Sequence, residues 1–302
     1  MEKFVIHGGN KLHGNINISG AKNAALPIIA ASVFANDVCR IENVPDISDV
    51  RMMIKILEFL GAEVARPEPN VILVDPRNVT PVTIPDKMTS KLRASYYLLG
   101  ALLSKFGKAC VALPGGCYFG VRPIDQHLKG FEALGARISF SGSAMIDGDA
   151  PDGLRGNLVY LDIASVGATI NIMLAAVFAE GTTIIENAAR EPHIVDMACF
   201  LNACGAKISG AGTSMIRIKG VEKLHGCTYE LAPDMIEAGT YMVAAAATGG
   251  RICVRNVVPK HMESISAKLR EVGIPLEITE NSITVSGVSS FRGTEIRTNP
   301  YQ

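Results

Sequence analysis

The sequence predicts an α/β protein assembled from a repeated helix–strand–helix–hairpin unit, and three observations predict it. A helix-like run ending in glycine recurs four times: Ile56-Leu-Glu-Phe-Leu-Gly-Ala-Glu-Val64, Phe131-Glu-Ala-Leu-Gly-Ala-Arg-Ile138, Phe200-Leu-Asn-Ala-Cys-Gly-Ala-Lys-Ile208 and Lys268-Leu-Arg-Glu-Val-Gly-Ile-Pro-Leu276. Its glycines, Gly61, Gly135, Gly205 and Gly273, are 74, 70 and 68 residues apart. An Ala-rich run and a short strand precede the glycine in three of the units, at Ala30-Ala-Ser-Val-Phe-Ala before Ile41-Glu-Asn, Ala175-Ala-Val-Phe-Ala before Ile185-Glu-Asn, and Ala244-Ala-Ala-Ala before Val254-Arg-Asn. Alternating residues follow it, at Val71–Val74, Ala144–Ile146, Met215–Ile218 and Ile283–Val285.

Each element has a physical reason. The glycine stands where a helix end needs a left-handed residue. The run before Gly61 places Val50, Met53, Ile54, Leu57 and Leu60 on one helical face. The Ala-rich helices are apolar on most sides, so they are expected beneath sheets, with the second helices also packing inward. A solenoid of stacked units is the competing architecture, but units near 70 residues exceed its usual period of roughly 20–50. After the fourth unit, Phe291-Arg-Gly-Thr-Glu-Ile-Arg-Thr-Asn-Pro-Tyr-Gln302 reads as the opening of a fifth whose helix does not follow.

Composition narrows the function. With 302 residues, 48% apolar and 19% charged, two domains and a sizeable core are expected. Lys plus Arg and Asp plus Glu number 29 each, so no global field draws the chain to nucleic acid or an anionic membrane. No apolar stretch has the length of a membrane span or a signal-peptide core, which makes the cytoplasm the expected compartment. The seven cysteines are odd in number and include no C-x-x-C pair, so neither a disulfide framework nor a zinc site is indicated. The six histidines show no paired ligand spacing, and no metal or cofactor is implied.

The second unit breaks the pattern after its strand, at Val111-Ala-Leu-Pro-Gly-Gly-Cys-Tyr-Phe-Gly-Val-Arg-Pro-Ile-Asp125. Pro114, Gly115, Gly116 and Gly120 give this loop freedom that a simple connector does not need, and it carries Cys117 with Arg122 five residues on. A nearby cation makes a thiol a better acid or nucleophile; the plainer reading is an incidental loop cysteine. Ile18-Ser-Gly-Ala-Lys-Asn-Ala-Ala-Leu26 feeds a helix N-terminus bearing Lys22, a place that favours an anion or is simply a capped end with a surface lysine. Ala164-Ser-Val-Gly-Ala-Thr169 reads as a Ser N-cap, Arg93 as a solvated arginine, and His127 as a helix-surface residue.

Together these segments resemble the enolpyruvyl transferases, in particular the branch acting on UDP-N-acetylglucosamine. The matching stretches are G-A-K-N-A-A-L-P at 20–27, L-R-A-S at 92–95, L-P-G-G-C-x-x-G-x-R-P-x-D-x-H at 113–127, S-V-G-A-T at 165–169, E-G-T-T-I-I-E-N-A-A-R-E-P at 180–192 and P-D-x-I-E-A-G-T at 233–240. They span essentially the whole chain. The resemblance implies an inside-out α/β barrel of repeated units, three per domain with helices inside, of which four of six are present. It places a complete three-unit domain at 19–231, carrying the Cys loop, and a partial second domain at 1–18 plus 232–302.

The reaction implied moves the enolpyruvyl group of phosphoenolpyruvate to the 3′-hydroxyl of UDP-N-acetylglucosamine, in peptidoglycan synthesis. By the same resemblance Cys117 is the loop acid, and Lys22, Asn23 and Arg122 hold phosphoenolpyruvate. Arg93, Arg122, Pro123, Ile124, Asp125, Gln126, Ser165, Val166 and Gly167 line the sugar-nucleotide site. The family pattern continues with a P-x-F-P-T-D segment whose Asp is the base for the hydroxyl, and that segment is not among these 302 residues. Two alternatives follow: an inactive remnant that binds the UDP-sugar, and a chain completed by a separate polypeptide. The shikimate-linked sibling enzyme is disfavoured by the G-G-C loop and the S-V-G-A-T turn.

Overall fold

Gly61, Gly135, Gly205 and Gly273 have φ angles of 106°, 90°, 104° and 99°, the left-handed region that glycine enters without strain. Each ends the second helix of a repeat and turns the chain into a strand. The computed structural model describes residues 3–89, 92–112, 124–141, 145–298 and 301.

Strand β1 (His13–Asn17) precedes the first repeat, which runs α1 (Lys22–Ala31), β2 (Cys39–Glu42), α2 (Ser48–Phe59), β3 (Glu63–Glu68) and β4 (Val71–Asp75). A short helix α3 (Asp86–Thr89) leads to the second: α4 (Tyr97–Phe106), β5 (Lys108–Ala112), α5 (Asp125–Ala133), β6 (Arg137–Ser141) and β7 (Met145–Asp149). Strand β8 (Leu158–Tyr160) leads to the third: α6 (Val166–Ala176), β9 (Thr182–Glu186), α7 (Pro192–Ala203), β10 (Lys207–Ser209) and β11 (Met215–Lys219). Strand β12 (Thr228–Glu230) leads to the fourth: α8 (Met235–Ala247), β13 (Arg251–Arg255), α9 (Glu263–Val272), β14 (Leu276–Ile278) and β15 (Ser282–Ser286).

The first helices form the core. α1 is buried from Ala24 to Ala31 and α6 from Ala168 to Ala176, so neither has a solvated face. α4 is buried from Leu98 to Leu103 and packs on both α1 and α6. Small residues permit the approach: a Cβ on Gly100 would stand 2.5 Å from the Asn171 carbonyl oxygen of α6. The strands beside these helices alternate buried and exposed residues, as in β11, where Ile216 and Ile218 point inward between Met215, Arg217 and Lys219.

The chain forms two compact units. One comprises residues 22–232 and holds the first three repeats; the other comprises 1–21 and 233–299 and holds the fourth repeat with β1. Within each sheet the repeat's first strand pairs antiparallel with its own hairpin. On its other edge it takes a parallel partner from outside the repeat: β12 beside β2, β8 beside β9, β1 beside β13. The first repeat's sheet is thus completed by the last strand of its unit.

One interaction recurs at these parallel joints. Asn43, Asn187 and Asn256, each directly after the repeat's first strand, have φ of 56°, 54° and 54°. Their Nδ2 groups donate to the carbonyls of Leu231, Leu161 and Ile18, at 3.0, 2.8 and 2.8 Å. Those same three residues donate their N–H groups to the carbonyls of Glu42, Glu186 and Arg255, at 3.1, 3.0 and 3.0 Å. Leu231, Leu161 and Ile18 are all buried, so each clasp fixes an apolar anchor at the end of the parallel strand. Asn suits the place because it tolerates the left-handed conformation and carries a donor short enough to reach across.

The second repeat is different. Its parallel partner is reduced to a bridge between Ile84 and Val111, followed by Pro85 and the start of α3. The sequence has Leu113 where the other repeats have Asn, a position outside the described residues.

Replacing Asn187 with Ala should therefore cost about 2–3 kcal/mol, by leaving the Leu161 carbonyl without its donor and straining a Cβ at positive φ. Asn187→Gly should cost about 1 kcal/mol less, because only the hydrogen bond is lost. Equilibrium unfolding in denaturant measures both; equal losses would show that the backbone conformation plays no part.

Candidate active site

Lys22 is the first residue of α1, the end of the helix toward which backbone N–H groups point. Its Nζ lies 3.5 Å from Oδ2 of Asp49, in the first turn of α2, with the two side chains 47% and 36% exposed. An exposed pair of this kind contributes at most about 1 kcal/mol. Asn23 follows, half-buried. Pro27 sits four residues on, inside the helix, and has no N–H to give the Asn23 carbonyl.

A second group forms where α5 and α6 begin. Ile124 precedes α5, and Asp125 and Gln126 open it. Gln126 is 8% exposed and bridges both ways to the segment ahead of α6: its Oε1 accepts from the Asp162 backbone N–H at 2.8 Å, and its Nε2 donates to Asp162 Oδ2 at 3.0 Å and Asp125 Oδ2 at 2.8 Å. Lys129 closes on the same Asp162 carboxylate at 2.8 Å. Hydrogen bonds from Lys129 and then Gln126 hold that carboxyl below its ordinary range. Ser165 caps α6 as its sequence predicts, with Oγ accepting from the Ala168 N–H at 3.3 Å; Val166 and Gly167 form the first turn. Two helix starts, each a positive dipole end, are joined by the Gln126–Asp162 bonds.

Behind them lies a buried hub that the sequence did not reveal. His127, expected on the helix surface, is 7% exposed. Its ring lies against Gly167, where a Cβ would meet Cε1 at 3.0 Å and Nε2 at 3.1 Å. Tyr96, in the 3-10 turn Arg93–Tyr96, also packs on it, with ring centroids 5.2 Å apart. His127 Nδ1 is 2.9 Å from Nδ2 of Asn171, a fully buried residue of α6. Asn171 Oδ1 accepts from the Gly100 N–H at 3.2 Å, which turns its amide donor toward His127. Nδ1 must then accept, and the neutral ring carries its proton on Nε2. A polar residue within the apolar run Ala168–Ala176 was the available signal, and periodicity alone gave it no role.

The structure therefore brings together the Arg93 turn, Ile124–Gln126 and Ser165–Gly167 through Tyr96, His127 and Asn171. Lys22 and Asn23 stand on α1, which packs on α4 and so on the helix that Asn171 binds. Cys117, Arg122 and Pro123 lie outside the described residues, and for Arg93 only the backbone turn is described. Among the described residues no cluster of His, Cys, Asp or Glu could hold a metal ion, and no helix is long and apolar enough to cross a membrane.

Comparison with known proteins gives this arrangement a context. The EPSP synthase (3-phosphoshikimate 1-carboxyvinyltransferase) family matches residues 6–302. The chain is 53% identical over 302 residues to UDP-N-acetylglucosamine 1-carboxyvinyltransferase 2 of Clostridium acetobutylicum, covering 100% of this chain and 72% of that one. It is 52% identical over the same span to UDP-N-acetylglucosamine 1-carboxyvinyltransferase 3 of Caldanaerobacter subterraneus subsp. tengcongensis, again with 72% of the relative covered. Among solved structures, the enolpyruvyl transferase NikO from Streptomyces tendae superposes with a TM-score of 0.84 at 24% identity, over 95% of this chain and 69% of that one. EPSP synthase from Acinetobacter baumannii follows with a TM-score of 0.76 at 19% identity, over 96% and 68%. The fold is that of these α/β enzymes, and the identity to the carboxyvinyltransferases runs through every repeat: the chain belongs to the EPSP synthase family of enolpyruvyl transferases.

Proposed function

We propose that this chain transfers the enolpyruvyl group of phosphoenolpyruvate to the 3′-hydroxyl of UDP-N-acetylglucosamine, the first committed step of peptidoglycan synthesis. The observation that carries the reading is the 53% identity over all 302 residues to a protein named for that activity. The site supports it: two helix N-termini and a lysine-bearing third suit substrates that both carry anionic groups. The step belongs to cell-wall building, and with it to cell shape and division, in the cytoplasm.

The chemistry is an addition followed by an elimination. A proton is delivered to the methylene carbon of phosphoenolpyruvate while the sugar hydroxyl adds to the neighbouring carbon, giving a tetrahedral ketal. Loss of phosphate and of one proton from the new methyl group restores the double bond. In this reading Cys117 supplies the proton, and Lys22 and Arg122 neutralise the phosphate and carboxylate, with Asn23 at the reacting centre. The exposed ion pair of Lys22 with Asp49, at 3.5 Å, is weak beside the attraction of a doubly charged phosphate. Arg93, Arg122, Pro123, Ile124, Asp125, Gln126, Ser165, Val166 and Gly167 hold the sugar nucleotide. The start of α6 presents backbone N–H groups to its diphosphate.

The direct test is phosphate release. It is expected only when phosphoenolpyruvate and UDP-N-acetylglucosamine are both present, and Cys117→Ser should lower it by about 100-fold or more. Turnover with shikimate 3-phosphate in place of the sugar nucleotide would overturn the substrate assignment. An epoxide phosphonate should leave one adduct, on Cys117, by mass spectrometry; labelling spread over several cysteines would remove Cys117 from its role.

The buried hub yields a separate expectation. His127→Asn keeps an acceptor for Asn171 but removes the ring from Gly167, so the KM for the UDP-sugar should rise roughly 10-fold. The rate of Cys117 modification should stay within about twofold, because the hub touches the sugar-nucleotide side. Equal changes in both would mean that His127 acts only through general stability.

A further inference from the structure

Three cysteines far apart in sequence meet at the joint that completes the first repeat's sheet. Cys39 begins β2, Cys227 directly precedes β12, and Cys204 ends α7. The register places Arg40 opposite Thr228, so Cys39 and Cys227 lie side by side at the start of paired parallel strands. The Arg40 N–H donates to the Cys227 carbonyl at 2.8 Å, and the His225 N–H to the Cys204 carbonyl at 2.9 Å. The sulfurs of Cys204 and Cys227 are 3.3 Å apart, within hydrogen-bond distance, and the Cys39 thiol interacts with both. Cys39 and Cys204 are buried, while Cys227 is partly open to solvent.

We propose that these thiols form a modification site for low-molecular-weight disulfides, in which Cys227 attacks and Cys204 resolves to leave a Cys204–Cys227 disulfide. The first step is displacement: the Cys227 thiolate bonds to one sulfur of the reagent, whose other half leaves as a thiolate. Cys204 then attacks the Cys227 sulfur, its proton passing to the second half of the reagent, which leaves as a thiol. Two protein thiols are oxidised, one reagent disulfide is reduced to two thiols, and the protons follow the leaving thiolates.

Geometry assigns the parts. Only Cys227 of the three can be reached from solvent, and its sulfur has an approach of about 1.3 Å to make to Cys204 before reaching a disulfide bond length near 2.05 Å. Cys39 is the poorer resolver, because in-register neighbours on paired strands project side by side instead of toward each other. Electrostatics agrees. Hydrogen bonds from Cys204 and then Cys39 pull the Cys227 thiol well below its ordinary value, whereas Cys204 is raised by its hydrogen bonds to Cys227 and Cys39 and by burial. One thiolate stabilised by neighbouring S–H donors is the pattern of an attacking cysteine beside its resolving partner. The crosslink would fasten the start of β12 to the end of α7 and so lock the strand that completes the first sheet.

The test uses the full chain carrying Cys199→Ser, which removes the exposed cysteine nearest Cys204 in sequence. After incubation with oxidised glutathione and digestion without reductant, a crosslinked pair of peptides holding Cys204 and Cys227 is expected. Adding Cys204→Ser should convert that product into a stable glutathione mixed disulfide on Cys227. The proposal is overturned by a crosslink through Cys39 in place of Cys204, by a mixed disulfide that persists on Cys227 with Cys204 present, or by an unmodified Cys227 when Cys110 or Cys253 has reacted.

Discussion

The structure depends on a small clasp made three times. Where a repeat's first strand ends, an asparagine in the left-handed conformation holds the carbonyl of a residue whose own N–H is taken by the strand. Such a joint satisfies two backbone groups on a buried residue at the place where a strand from elsewhere in the chain must be gripped. Parallel pairing needs this help, since it cannot be secured by a tight turn as a hairpin can. The repeat that lacks the asparagine is the one whose strand is followed in sequence by the segment carrying Cys117. The departure from the repeat and the candidate chemistry thus occupy the same place in the chain, in keeping with the tendency of functional segments to break local rules.

Much of the fold was legible because it rests on short-range rules. The glycine spacing marked four helix ends, and all four adopt positive φ. The face formed by Val50, Met53, Ile54, Leu57 and Leu60 is buried throughout, and the Ala-rich runs at Ala30 and Ala175 lie in the core, whereas α8 leaves Ile236 and Val243 exposed. Ser165 announced its cap. The Asn endings of Ile41-Glu-Asn, Ile185-Glu-Asn and Val254-Arg-Asn were visible as a recurrence, but their part could not be read: the clasp joins Asn43 to Leu231 and Asn256 to Ile18, residues 188 and 238 positions apart.

The candidate site divides along the same line. Helix starts bearing Lys22, Asp125 and Ser165 are local features, and motif resemblance picked them out. The hub that aligns them is not local. His127 looked like a surface residue because its neighbours are polar, yet Tyr96 and Gly167 enclose it from separate elements. The thiol cluster escaped for the same reason, since each of Cys39, Cys204 and Cys227 is unremarkable in its own segment. Length scale separates what was read from what was missed. Capping and periodicity act over a few residues, whereas burial and hydrogen-bond partners are decided by the whole unit.

The parallel pairing of β1 with β13 has a consequence during synthesis. His13 finds its partner only when Arg251 has been made, and at roughly 5–20 residues per second that wait is on the order of ten to fifty seconds. Through that interval the leading strand is an unpaired edge on a nascent chain. Its composition suits the delay: His13-Gly-Asn-Ile-Asn17 is short, largely polar and contains a single aliphatic residue. A segment like that has little tendency to recruit neighbouring chains before its own partner emerges from the ribosome.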